Sequence, residues 1–166
     1  MPEFFGFDTK KGWDYENGFY LASPPCRLAK AIAHYELYRR IVGLPGDVVE
    51  IGVLKGSSLI RWATFREILE SQDSRKIIAF DAFGKFPVPE DQEEADFVKN
   101  FEEVAGKGIS KDECKKVLQY KGFRNFDLVE GDIEKTVPSY VAKHPELRIS
   151  LLHLDADVYR PTMISL

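Results

Sequence analysis

The chain has 166 residues, 44% hydrophobic and 13% aromatic, which is enough for one globular core and short for two. Its 27 acidic and 23 basic residues leave a formal charge of -4 and are interspersed, so no basic stripe suits a nucleic acid and no polybasic cluster suits a membrane surface. No apolar run reaches the roughly 18 residues of a membrane span, residues 1–7 lack a basic region followed by an apolar one, and the expected location is the cytoplasm.

Residues 1–22 crowd Phe4, Phe5, Phe7, Trp13, Tyr15, Phe19 and Tyr20 together without a clean period. Rings at that density are expected to form an arm that packs on the domain or a partner subunit, or a lid that closes over a ligand site. Ser23-Pro24-Pro25 is expected to open a helix with Ser23 as N-cap. Leu28, Ile32, Tyr35, Tyr38 or Arg39, and Val42 mark its apolar side until Gly43-Leu44-Pro45-Gly46 ends it. Cys26, at its start, and the distant Cys114 lack C-x-x-C spacing and read as free thiols, and His34 reads as a surface or core residue rather than a catalytic one.

The stretch Asp47-Val48-Val49-Glu50-Ile51-Gly52-Val53-Leu54-Lys55-Gly56-Ser57-Ser58 organises the rest of the chain. A β-branched run passes through a glycine turn into a helical pattern, which is the form of a nucleotide seat: free backbone N–H groups at a helix start, approached closely where no Cβ intervenes. A dinucleotide turn would need G-x-G-x-x-G, but Glu50 stands at its first glycine, and a carboxylate there would repel a pyrophosphate. It suits a cationic or hydrogen-donating ligand end, such as the amino acid part of S-adenosylmethionine. The bland alternative is an ordinary βα turn with a helix-packing glycine. E-x-G-x-x-x-G resembles motif I of class I S-adenosylmethionine-dependent methyltransferases, which would make Glu50, Gly52, Gly56 and Ser57 donor-binding residues.

Leu59, Trp62, Phe65 or Arg66, and Leu69 give the next helix its buried face, and residues 76–80 form an apolar strand ending at Asp81. Residues 84–125 are a long helical insertion, of the kind that serves as substrate cap or oligomer contact. In it the acidic run Glu90-Asp91-Gln92-Glu93-Glu94 reads as a solvated helix start, Phe97, Phe101 and Val104 as an apolar face, and Ser110-Lys111-Asp112-Glu113 as a capping box. A third strand, 126–129, leads through Glu130-Gly131-Asp132 to a short helix, 134–141, and a fourth and most apolar strand, 149–154, leads into Asp155-Ala156-Asp157. His153 within it reads as a satisfied core histidine rather than a base.

Four strands thus end at or beside an acid, Glu50, Asp81, Asp132 and Asp155, and in a right-handed parallel sheet these ends share one edge. The set can hold an adenosyl ligand, with Glu50 and the 52–56 loop at the amino acid part, Asp81 at the ribose, Asp132 at the adenine amine, and Phe83 or Ile133 as apolar walls. Asp155 and Asp157, two apart, project to one side of an extended backbone and suit magnesium; the alternative is that they cap the next helix.

Leu154-Asp155-Ala156-Asp157-Val158-Tyr159-Arg160-Pro161-Thr162, taken with Phe80-Asp81-Ala82-Phe83-Gly84-Lys85-Phe86-Pro87, Glu130-Gly131-Asp132 and the Pro45 to Ser58 stretch, resembles the TylF, MycF and NovP type of sugar O-methyltransferase, often labelled dTDP-6-deoxy-L-hexose 3-O-methyltransferases. The likeness runs from about Ser23 to Leu166. It implies a Rossmann-like class I methyltransferase fold, α/β with a mostly parallel sheet and helices on both faces, over 23–166. It also implies S-adenosylmethionine as donor, magnesium-assisted transfer to a sugar-like hydroxyl, and a homo-oligomer. Asp155 would match the family's first metal-binding acid and is a candidate base.

Two departures stand out. Arg160 replaces a Glu or Ser common in relatives, and the family continues past this point to a strand with an acidic pair that completes the metal site. The expectation is therefore a chain lacking the C-terminal strands, with an exposed fourth strand and an incomplete metal site. The competing expectation is a non-catalytic adenosyl-binding or assembly module; a nicotinamide-dependent oxidoreductase is disfavoured by the absent glycine pattern.

Overall fold

The computed structural model describes residues 2–89 and 91–166, so Glu90 of the acidic run lies outside the described residues. A hairpin of β1 (Glu3–Phe4) and β2 (Phe7–Asp8) leads through a 3-10 turn (Thr9–Lys11) into α1 (Gly12–Ala22) and α2 (Pro25–Ile41). Strands and helices then alternate as β3 (Asp47–Ile51), α3 (Ser57–Leu69), β4 (Ile77–Asp81), α4 (Gln92–Ala105), α5 (Lys111–Tyr120), β5 (Phe126–Glu130), α6 (Ile133–Lys143), β6 (Ile149–Leu154) and α7 (Tyr159–Ser165).

β3 to β6 form one parallel sheet in the order β5-β4-β3-β6. Period-two alternation gives each strand two apolar faces. Val48, Ile77 and Ala79 pack with Tyr38, Leu59, Trp62 and Leu118 of α2, α3 and α5, while Val49, Ile51, Ile78 and Phe80 pack with Val137 of α6 on the other side. Helices cover both faces, as an all-parallel sheet requires. β6 is an edge strand, and its Ile149 and Leu152 are exposed, in line with the sequence expectation for the fourth strand.

At the amino ends of the strands, Arg75 ties three elements together. Its guanidinium donates twice to the Glu70 carboxylate and also to the carbonyls of Ile41, Leu44 and Gly46 and to Ser150 Oγ. Both charged side chains are almost wholly removed from water, so the cost of desolvation is offset by a fully used fork.

Four local expectations change. The buried residues of α2 are His34, Tyr38 and Ile41, while Leu28, Ile32 and Val42 of the expected apolar side are exposed. Ser23 closes α1 instead of opening α2: its N–H donates to the Phe19 carbonyl, and Pro24 is the N-cap with Pro25 at the first helical position. The residue before a proline is held extended, which suits Ser23 to a helix end already present upstream. The aromatic arm is itself helical, and none of the α1 residues is buried; Trp13 is 77% exposed, while Phe5 reaches the core and Phe4 meets Tyr120. In the insertion the buried residue of α4 is Val98, not Phe97 or Val104, and Val104 is 91% exposed. Phe97 stacks on Phe101, which packs edge-on against Phe86, so the rings of this helix are turned to one another and to the loop after β4. Ser110 does cap α5, although the Glu113 carboxylate meets the Ser110 hydroxyl rather than the backbone.

Candidate functional site

The carboxyl ends of the strands open into a cavity of about 780 Å³, within the range of small-molecule sites. Gly52, Asp81, Asp132, Ile133, Asp155 and Asp157 line it together, from the turns after β3, β4, β5 and β6. Leu54, the 84–89 loop, Gly108, Tyr159 and Arg160 are further parts of its walls, with Asp91 and Glu94 of the acidic run. No residue of the 2–22 arm lines it.

Each acid has a distinct local role. The turn after β3 is built around Asp81: Oδ2 accepts the N–H groups of Val53 (2.6 Å) and Leu54 (3.1 Å), and Oδ1 accepts that of Phe83 (2.6 Å). Asp81 thus locks the glycine loop to the end of β4 and lines the cavity with about one lone-pair site left unused. Asp132 caps α6 by accepting the Glu134 N–H, and its bond to Lys135 Nζ at 3.0 Å holds its carboxyl below the usual range. The Asp155 N–H donates to the Ile51 carbonyl, fixing the loop after β6 against β3, while its Oδ2 lies 3.4 Å from Lys30 Nζ on α2. Partial removal from water and the neighbouring Asp155 charge raise the Asp157 carboxyl, which sits on a left-handed backbone (φ 61°).

Two glycines matter here for different reasons. Gly52 (φ 89°) passes so close to Asp155 that a Cβ would collide with the Asp155 carbonyl. Gly108 lets the insertion return to the site: its N–H donates to the Gly84 carbonyl at 2.8 Å, and a Cβ would press on Gly84 and Leu54.

Four expected donor residues do not line the cavity. Gly56 is the N-cap of α3 (φ 80°) and Ser57 its first residue, while Phe83 is buried in the core. Glu50 points into the layer between the sheet and α2/α3, fully buried, with Oε1 3.1 Å from His153 Nδ1. The reason is the strand's alternation: Ile51 faces α6, so Glu50 faces α3. Burial pushes the Glu50 carboxyl up, against the opposing pull of His153. His34 stacks on Trp62 with ring centres 4.5 Å apart and meets the edge of His153 at 5.0 Å. Burial, then the proximity of His153, lowers His34 to about 4, so it is neutral in the fold.

The lining suits an adenosyl donor: carboxylates at three strand ends for hydroxyl and amine donors, Ile133 and Phe86 as apolar surface, and a glycine at the closest approach of the first turn. It does not suit magnesium in the same way. Among the described residues no group of three or more His, Cys, Asp or Glu side chains could hold a metal ion, and Asp155 already faces the Lys30 ammonium. Lys30 escaped the sequence reading because a lysine on a helical surface carries no pattern; only its spacing of four from His34 places both on one face.

A family model described as macrocin-O-methyltransferase (TylF) matches residues 31–166. Among solved structures, the chain is similar to CalS11, calicheamicin methyltransferase, at 25% identity and a TM-score of 0.64, covering 95% of this chain and 64% of that one. It is also similar to apo CalS11, described as a TDP-rhamnose 3'-O-methyltransferase in calicheamicin biosynthesis, at 27% identity and a TM-score of 0.61, covering 95% and 63%. The O-methyltransferase NovP shares the fold, at 19% identity and a TM-score of 0.68, covering 82% and 57%. The chain thus spans less than two thirds of the length of these structures. No curated protein sequence matches it.

Proposed function

Given that the chain belongs to the TylF macrocin-O-methyltransferase family, we propose that it transfers a methyl group from S-adenosylmethionine to a hydroxyl of a sugar-like small molecule. The observation that carries this reading is the shared cavity lined by Gly52, Asp81, Asp132 and Asp155 at the carboxyl edge of the sheet. When bound, the donor supplies a methyl group activated by a sulfonium.

The chain's own groups divide the remaining work. Asp81 holds the 53–54 backbone in place and offers its remaining lone-pair site to a ribose hydroxyl. Asp132, kept ionised by Lys135, accepts from the adenine amine, and Ile133 provides apolar surface beside it. Asp155, one of the acids lining the cavity, takes the proton from the acceptor hydroxyl in this reading. Glu50 serves the donor indirectly, by bonding β3 to His153 of β6 two residues before Asp155. The expected magnesium assistance finds no support in the donor set, and no step here depends on it. The exposed apolar side chains of α1 and α2, among them Trp13, Leu21 and Ile32, support self-association.

A second reading, an adenosyl-binding module without catalysis, is favoured by the same sparse acid set. Calorimetric titration of the 166-residue chain with S-adenosylhomocysteine, followed by radiolabelled methyl transfer to a TDP-linked deoxysugar, separates the two. Saturable binding with transfer, abolished in Asp155→Asn, is the expected result. Binding without transfer selects the second reading, and no binding by a folded chain rejects both.

A further inference from the structure

Asp155 meets a cation that the chain itself supplies. Lys30 Nζ lies 3.4 Å from Asp155 Oδ2, and the pair joins residues 125 apart in sequence. Lys30 is not placed there by its own flexibility alone. Four residues on, in the same helix, His34 is buried, stacked flat on Trp62 and edge-on to His153, which fixes the turn of α2 that carries Lys30 beside the end of β6. Lys30 and Arg61 both act on His34, and Arg27 acts on Arg61, so the α2/α3 side of this region carries further positive charge, while Asp157 adds a carboxylate beside Asp155. A divalent ion brought to Asp155 would have to displace the ammonium and enter that field. The acids that could compensate are few, since among the described residues no set of three metal-ligating side chains converges.

We infer that Lys30 is the built-in cation partner of Asp155, and that the Lys30–Asp155 pair and a divalent metal ion exclude one another at this carboxylate. In this state Lys30 is a positioning residue: it holds Oδ2 of the Asp155 carboxylate toward α2. The inference rests on the assignment of Asp155 to the working face of the cavity, but not on the acceptor or on methyl transfer itself.

The probe is Mn²⁺, followed by its electron paramagnetic resonance signal in the presence of the full 166-residue chain, with circular dichroism as the check of folding. Removing a unit charge 3.4 Å from a partly exposed carboxylate is expected to tighten Mn²⁺ binding in Lys30→Met by about five- to tenfold over the unsubstituted chain. Lys30→Gln, which keeps a polar head without the charge, should follow Lys30→Met, and Lys30→Arg should bind Mn²⁺ as weakly as the unsubstituted chain. Adding Asp155→Asn to Lys30→Met should remove the gain. Equal Mn²⁺ affinity in the unsubstituted chain and both neutral variants, whether strong or absent, overturns the inference, and so does a gain that survives Asp155→Asn. Failure of the methyltransferase reading would show instead as no binding of S-adenosylhomocysteine, a separate measurement that leaves the Mn²⁺ comparison intact.

Discussion

Gly52 and Asp155 touch backbone to backbone: the loop after β3 has no room for a side chain because the Asp155 carbonyl occupies the position a Cβ would take. The positive φ of Gly52 adds a second reason, since an L side chain is strained there. Gly52→Ala is expected to cost about 2–4 kcal/mol and to push the 155–157 loop off β3. Urea denaturation gives the first quantity, and loss of S-adenosylhomocysteine binding in calorimetry reports the second. A variant with unchanged stability and affinity would show that the loops separate without consequence.

Asp81 accepts three backbone N–H groups with its two oxygens. Asn at this position keeps one acceptor and turns an amide toward donors it cannot satisfy. Asp81→Asn should lose about 1–3 kcal/mol of stability and at least tenfold in affinity for S-adenosylhomocysteine, because the 53–54 turn and the proposed ribose contact would fail together. Asp81→Glu, with the charge retained but displaced, should recover neither fully.

His34 makes the fold sensitive to acid. Its pKa is lowered from 6.5 to about 4, so as pH falls through this window the unfolded chain takes up a proton that the folded chain refuses. The stability associated with His34 is therefore present above pH 6.5 and is lost progressively toward pH 4. His34→Phe keeps a ring against Trp62 and removes the titration. It should flatten the dependence of stability on pH between 6.5 and 4 by up to about 3 kcal/mol, measured by denaturation at each pH.

Arg75 and Glu70 form a buried ion pair, with side chains only 2% and 9% exposed. Arg75→Met leaves the Glu70 carboxylate buried and several carbonyls without donors, and should destabilise the fold by about 3–5 kcal/mol. The double variant with Glu70→Leu should be less damaged than the sum of its parts, since no stranded charge remains.

The face of α4 separates the structure from the pattern. Val98→Ala should cost about 1–2 kcal/mol and Val104→Ala less than about 0.5 kcal/mol, although the two residues differ little in sequence context. Thermal unfolding of the pair decides which side of the helix packs.

The alternation of strands and helices is legible in the residues alone, because β-branched runs, capping residues and glycines act within a few positions of one another. Asp91, Ser110 and Asp132 cap the helices that come after them for that local reason. The gathering of Asp81, Asp132 and Asp155 at one edge is legible too, since parallel strands with right-handed crossovers put every carboxyl end on the same side. Tertiary packing is needed to settle which way each side chain faces and what reaches it from far along the chain. Glu50 belongs to the motif yet is turned by strand alternation into a buried pair with His153. Ser23 is claimed by a helix that the aromatic pattern of the arm conceals. Lys30, without any motif, stands beside Asp155 because α2 packs across the sheet edge, and an electrostatic contact between residues so distant in sequence depends on that packing and on nothing local.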